Sequence, residues 1–252
     1  MALRFSILSI FPDQVEEALN HSITGRALEQ GLVEIQPIQI RDFAINDYGQ
    51  LDDAPYGGGR GMVMLCQPLY DAWEWALAQK AGKARSLVLS PAGRPFDQAM
   101  AKELAREDHI LFICGHYEGI DQRFIDETQA EEVSLGDFVL TGGELAAAVM
   151  MDAIIRLVPG VLPHEEAWLL ESFTDGLLQW PQYTRARVWR DRPVPPVLLS
   201  GHHANIDRYR LLMQLAQTLK KRPDLLKGRS IDPQLWQDLA QALADGQLSC
   251  DD

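Results

Sequence analysis

The chain has 252 residues, 46% hydrophobic and 23% charged, which is ordinary for a soluble globular protein and suits one large domain or two modest ones. Its formal net charge of −13, read over the whole chain, argues against a polyanion partner. Cys66, Cys114 and Cys250 are odd in number and widely spaced, which speaks against a disulfide framework or a zinc site, and no stretch reaches the roughly 18 apolar residues of a membrane span.

In chain order, residues 5–11 read as a strand that stops at Pro12-Asp13 and carries no signal-peptide cleavage pattern, so a reducing cytoplasm is the expected compartment. Residues 15–30 fit one helix capped by Asp13 and ended by Gly31. A second strand follows over 33–40, then a polar, turn-rich stretch to Gly57-Gly-Gly-Arg-Gly61. That glycine run has neither dinucleotide-fingerprint spacing nor a following Gly-Lys-Ser/Thr, yet Tyr56 and the apolar residues 62–65 on its flanks favour burial.

Residues 68–80 place Leu69, Ala72, Trp73 and Ala76 on one helical face. A strand over 86–89 enters Ser90-Pro-Ala-Gly93, a helix follows over 96–107, and a strand over 109–114 enters Gly115-His-Tyr-Glu-Gly119. After a short helix near 119–125, the segment 132–144 mixes Val133, Phe138, Val139 and Leu140, which suit a buried strand, with Gly136, Gly142 and Gly143, which suit close backbone approach. Apolar residues 145–157 continue as a helix. Strands separated by helices imply an α/β fold with a mainly parallel sheet covered on both faces. Three glycine-containing loops at strand ends could converge on one ligand.

Val158-Pro-Gly-Val-Leu-Pro163 interrupts the pattern. The boundaries set here are 1–161 for a first domain, 162–175 for a linker and 176–252 for a small, mostly α-helical domain. The latter has helical spacing over 211–219 and 233–243 and no strong strand signal. Between Trp180 and Ser230 eleven Arg and Lys face only Asp191, Asp207 and Asp224, a local reversal of the overall charge that points to a polyanion. Trp180-Pro181 and Tyr183-Thr184-Arg185 combine ring, hydroxyl and cation as base stacking with a phosphate contact would require, or as a buried interface would. His202-His203 suits a phosphate or base contact.

His116 and Glu118 could act as general acid and base, or cap the next helix. Glu165 and Glu166 read as solvated linker charges. His164 has no partner at helical spacing, so no metal site is assigned.

Together these pieces resemble the bacterial tRNA (guanine-37-N1)-methyltransferases (TrmD family) of the trefoil-knotted SPOUT superfamily. The resemblance rests on Asp53-Ala-Pro-Tyr-Gly-Gly-Gly-Arg-Gly-Met62, Leu89-Ser-Pro-Ala-Gly93, Cys114-Gly-His-Tyr-Glu-Gly-Ile-Asp121, Ser134-Leu-Gly-Asp-Phe-Val-Leu-Thr-Gly-Gly-Glu144, Arg156-Leu-Val-Pro-Gly-Val-Leu162, Glu171-Ser-Phe-Thr-Asp-Gly-Leu-Leu178, Tyr183-Thr-Arg185 and Val194-Pro-Pro-Val-Leu-Leu-Ser-Gly-His202. They occur in family order along nearly the whole chain.

The resemblance implies a knotted S-adenosylmethionine-binding domain, an obligate homodimer with active sites at its interface, and tRNA carrying guanine-37 as substrate. It places the methyl donor against Leu89, Ser90 and Pro91, against Gly115, His116, Tyr117 and Glu118, against Leu135, Gly136, Asp137, Phe138, Val139 and Leu140, and against Gly142 and Gly143. It makes Arg156 the catalytic arginine and puts Glu171 where the family usually has its catalytic Asp. Gln179 stands at a second position that is acidic in the family, and His116 where many relatives have Arg. Mg²⁺ is implied by the resemblance alone. The changes at Glu171 and Gln179 motivate one alternative, a non-catalytic knotted RNA-binding relative. Another is a knotted methyltransferase acting on a different RNA base.

Overall fold

The computed structural model describes residues 2–79, 83–164 and 168–244. The chain divides into two compact units, Met1–Glu165 and Glu166–Asp252. Within the first, β1 (Leu3–Ser9) leads to α1 (Pro12–Leu19), α2 (Ser22–Glu29) and β2 (Val33–Gln39). The short strands β3 (Asp52–Asp53) and β4 (Val63–Met64) flank the glycine run, and α3 (Cys66–Ala78) follows. Then come β5 (Arg85–Pro95), α4 (Gln98–Leu104), β6 (His109–Cys114), α5 (Gln122–Thr128), β7 (Glu131–Ser134) and α6 (Glu144–Ile155). The five longer strands form one sheet in the order β2-β1-β6-β5-β7, and every pair is parallel.

The two-residue period of the strands sorts the core into two layers. Phe5, Ile7, Leu87, Ile110, Phe112 and Val133 face α1, α2, α4 and α6. Leu8, Ile10, Val88, Leu111 and Ile113 face α3 and α5. Phe5 and Phe112 stack across neighbouring strands with centroids 6.3 Å apart. Helices on both faces of a parallel sheet are what the alternation of elements required.

Several expectations are corrected. The single helix over 15–30 is two, because Ser22 takes φ 53° at the start of the second and α2 passes so close that a Cβ on Gly25 would lie 2.9 Å from the Asn20 carbonyl carbon. Asp13 does not cap. Phe11 occupies the cap position, Pro12 starts the helix and Asp13 is an acid of the first turn, where the helix dipole favours it. The strand expected to stop at 89 resumes at Arg94 and Pro95, again beside β7, after the excursion through residues 90–93. A Cβ on Gly93 would stand 2.3 Å from the Val133 backbone nitrogen, so glycine is what lets the excursion fold onto β7. Phe138, Val139 and Leu140 are not strand. Pairing ends at Ser134, and these side chains are exposed, Val139 by 83%. Gly31, at φ 66°, does end its helix.

The second unit packs α7 (His203–Lys221) against α8 (Pro233–Ala244) through Leu212, Met213, Leu215, Ala216, Leu239 and Ala242. The helix expected over 211–219 is therefore the C-terminal half of a longer one. A hairpin absent from the sequence reading joins β8 (Val188–Trp189) to β9 (Arg192–Pro193). Arg190 and Asp191 at its tip have φ 47° and 62°, as a two-residue primed turn demands. Among the described residues no helix is long and apolar enough to cross a membrane.

Candidate functional site

The C-terminal ends of β5, β6 and β7 and the start of α6 enclose a cavity of about 370 Å³, within the size range of small-molecule sites. Of the donor contacts expected from sequence, Leu89, Ser90, Pro91, Gly115, His116, Tyr117, Glu118, Leu135, Gly136, Phe138, Val139, Leu140, Gly142 and Gly143 all line it; Asp137 does not. Sequence reasoning missed Gln122, Ile125, Glu132 and Thr141 in the same wall. Gln122 and Ile125 lie on α5, one turn beyond the motif, where their spacing signals only a helix face.

Close backbone approach builds the walls. The Gly143 N–H donates to the Gly115 carbonyl (3.0 Å), and a Cβ on Gly143 would meet the Cys114 Cα at 2.7 Å. The 115–119 loop is stitched to β4 by Glu118 N–H to Met62 O (3.0 Å), Met64 N–H to Gly119 O (2.9 Å) and Asp121 N–H to Met64 O (3.0 Å). Tyr117 adopts φ 60° within it. The Gly57–Gly61 run reaches the cavity rim through Gly61, where a Cβ would collide with the Glu118 carboxylate at 2.3 Å. In the third loop the Ser134 hydroxyl accepts from Gly136 N–H (3.2 Å) and Phe138 N–H donates back to Gly136 O (2.9 Å), turning the chain away from β7.

The lining suits a donor with an aromatic base and a positive sulfonium. Val88, Leu89, Val133 and Leu135 give apolar surface, while Glu118 and Glu132 supply carboxylates. His116 does not stand as a free acid–base group beside Glu118: its Nε2 lies 2.7 Å from Glu144 Oε1. Burial, reinforced by the Glu144 charge, pushes the Cys114 thiol well above its usual range, so it is packing rather than nucleophile. Among the described residues no three His, Cys, Asp or Glu side chains gather as a metal site would need, so no protein cage for Mg²⁺ is built there.

Arg156 sits half-buried at the C-terminal cap of α6, its backbone N–H donating to Asp152 O (3.3 Å). Glu171 belongs to the second unit, in a turn held by Glu171 N–H to Trp168 O (3.3 Å) and Thr174 Oγ1–H to Trp168 O (2.7 Å). The Gln179 N–H donates to Ser172 Oγ (2.9 Å) and the Leu178 N–H to Thr218 Oγ1 (2.9 Å), which fixes residues 172–179 onto α7. Arg210 lies over the Trp180 ring at 5.0 Å, and its Nε is buried without a hydrogen-bond partner. Burial, with the neighbouring Tyr183 hydroxyl, raises the Tyr209 phenol well above its ordinary value. Arg185, Arg187, Arg190 and His202 are exposed. Glu165 and Glu166 lie outside the described residues.

A parallel sheet whose strand ends gather three glycine-bearing loops around one cavity defines an α/β protein with a cavity of small-molecule size at the C-terminal edge of its sheet. The family described as tRNA (Guanine-1)-methyltransferase TrmD matches residues 3–228, and the chain belongs to it. A relative from Latilactobacillus sakei, named tRNA (guanine-N(1)-)-methyltransferase, is 48% identical over 236 residues, 93% of this chain and 96% of its own. Relatives of the same name from Ruminiclostridium cellulolyticum and Staphylococcus epidermidis are each 47% identical, covering 88% and 89% of this chain and 96% and 91% of their own.

Proposed function

We propose that this protein transfers a methyl group from S-adenosylmethionine to N1 of guanine-37 in the anticodon loop of tRNA. The observation that carries the reading is the cavity closed by the three glycine loops, in a chain of the tRNA (guanine-1)-methyltransferase family. The donor, when bound, supplies an electrophilic methyl on sulfur. Guanine N1 carries a proton and attacks poorly until it is lost. Glu171 takes that proton as the N1–methyl bond forms and the S–methyl bond breaks. A free Glu, with a pKa of about 4.3, is a weak base for this, so Arg156 stabilises the charge that builds on guanine O6. The first unit's chain is threaded as a knot around the three loops.

Two copies of the chain pair through the apolar face that Val139, Leu145 and Val149 leave exposed on α6 and its preceding loop. The basic segment between Trp180 and Ser230 of the second unit binds the tRNA backbone, with ring stacking from Trp180 and Tyr183. Its cytoplasmic location follows from the substrate. The test is methyl transfer from labelled donor to tRNA with guanine-37 after guanine-36, and to the same tRNA with adenine-37. Transfer to the first alone, mapped to N1, is expected. Donor binding without transfer to either would favour the non-catalytic relative.

A further inference from the structure

Glu144 is a carboxylate with 2% of its surface exposed, at the first residue of α6. Its Oε1 accepts from the Ser9 hydroxyl at the end of β1 and from His116 Nε2 in the 115–119 loop. Its Oε2 lies over Gly142, where a Cβ would stand 2.5 Å from that oxygen and 2.6 Å from the His116 ring. A buried carboxylate is costly unless paired, and this one has two side-chain donors and the N-terminal end of a helix. The His116 ring is closed in by Phe11, edge-on at 5.5 Å, and by Tyr117 at 6.2 Å. The backbones of His116 and Gly142 also bridge antiparallel. Ser9 Oγ in turn accepts from Phe11 N–H (2.8 Å), so the hub is anchored in the sheet.

The carboxylate therefore joins three chain segments far apart in sequence. Two of them, around His116 and around Gly142, are walls of the cavity. We propose that Glu144 is a positioning residue for methyl-donor binding: through His116 it sets the spacing between the 115–119 and 141–143 walls. This rests on the reading of the cavity as the donor site. The imidazole serves as the spacer between loop and helix, which explains why its Nε2 points to Glu144. An Arg in its place could donate to the same carboxylate.

The test uses the full-length protein and S-adenosylhomocysteine as probe, with calorimetry beside steady-state kinetics. Glu144→Gln and His116→Ala should each weaken probe binding roughly tenfold, the usual worth of a hydrogen bond to a charged group. For Glu144→Gln, whose side chain does not line the cavity, the donor KM should rise in parallel while kcat at saturating donor holds. The double variant should bind no worse than the weaker single one, because both remove one contact. His116→Arg should recover most of the lost affinity. Losses that add, unchanged binding in folded variants, or a fall in kcat without a change in KM would overturn the proposal. Should Glu144→Gln not fold, His116→Ala, His116→Arg and Ser9→Ala carry the same comparison. A wild-type protein that does not bind the probe would instead overturn the donor reading of the cavity itself.

Discussion

Gly143 lies so close to Cys114 that a Cβ on the glycine would stand 2.7 Å from the cysteine Cα and 3.0 Å from its Cβ. Gly143 has an ordinary φ of −80°, so contact and not backbone strain selects glycine there. This contact presses the start of α6 onto the end of β6 and closes one side of the cavity. Gly143→Ala must push the two elements apart, at a cost of about 1–3 kcal/mol for overpacking. The expected outcome is a lower melting temperature together with weaker S-adenosylhomocysteine binding; a variant that melts and binds as the wild type would show that the contact relaxes freely.

Arg156 and Glu171 should separate chemistry from donor binding. Arg156→Ala is expected to lower kcat by about 10²–10³, the effect of losing one charge-stabilising donor, with donor affinity nearly unchanged. Calorimetry and single-turnover transfer on the same preparation decide this. An equal loss of both would make Arg156 structural.

Glu171→Gln keeps size and hydrogen bonding but cannot accept the N1 proton. Turnover should fall by about 10²–10⁴, and more steeply at low pH than at high pH, where guanine itself loses the proton to solvent. Glu171→Asp should retain transfer. A fully active Glu171→Gln would move the base to another group.

Asp121 caps α5 by accepting from Arg123 N–H (3.0 Å) and also accepts from Arg123 Nε (2.9 Å). The Arg123 side chain first, and the capping amide after it, hold the carboxyl well below the usual range. A depressed folded-state pKa gives stability that is present above the unfolded value of about 3.9 and is lost as pH falls through the folded one. Because the guanidinium is 74% exposed, most of the ion-pair share is screened by solvent. Asp121→Ala should therefore cost only about 1 kcal/mol at pH 7, the worth of a cap. Melting curves should show that difference shrinking below about pH 4.

The sheet and its order of helices were legible because burial on both faces leaves uninterrupted runs such as His109–Cys114. The cavity was legible because glycines at strand ends mark close approach. Phe138, Val139 and Leu140 misled, since apolar character fits an exposed face meant for another surface as well as a strand. The Glu144 hub could not be read at all. Ser9 and His116 stand 135 and 28 positions from it, and only the fold brings them together. The hairpin tip at Arg190 and Asp191 lacks the Asn-Gly signal that would have announced it.

The basic segment makes the last prediction, and its charges are not equivalent. Arg222 is already paired with Asp224 through Nε to Oδ1 (2.9 Å) and Nη2 to Oδ2 (2.7 Å), and Arg208 with Asp238 at 2.7 Å. Arg187 and Arg190 lie exposed at the hairpin, the latter 4.9 Å over the Trp189 ring, which is itself 63% exposed. An Arg releases a condensed counterion from tRNA only where it neutralises a phosphate and not a neighbouring carboxylate, so the hairpin should carry more of the salt dependence than α7's C-terminal end. Measured as log affinity for tRNA against log salt, Arg187→Gln with Arg190→Gln should flatten the slope by about 1.5–2. The charge-neutral pair Arg222→Gln with Asp224→Asn should leave it unchanged. The reverse pattern would place the tRNA backbone on the end of α7 and leave the hairpin's ring and guanidinium for another surface.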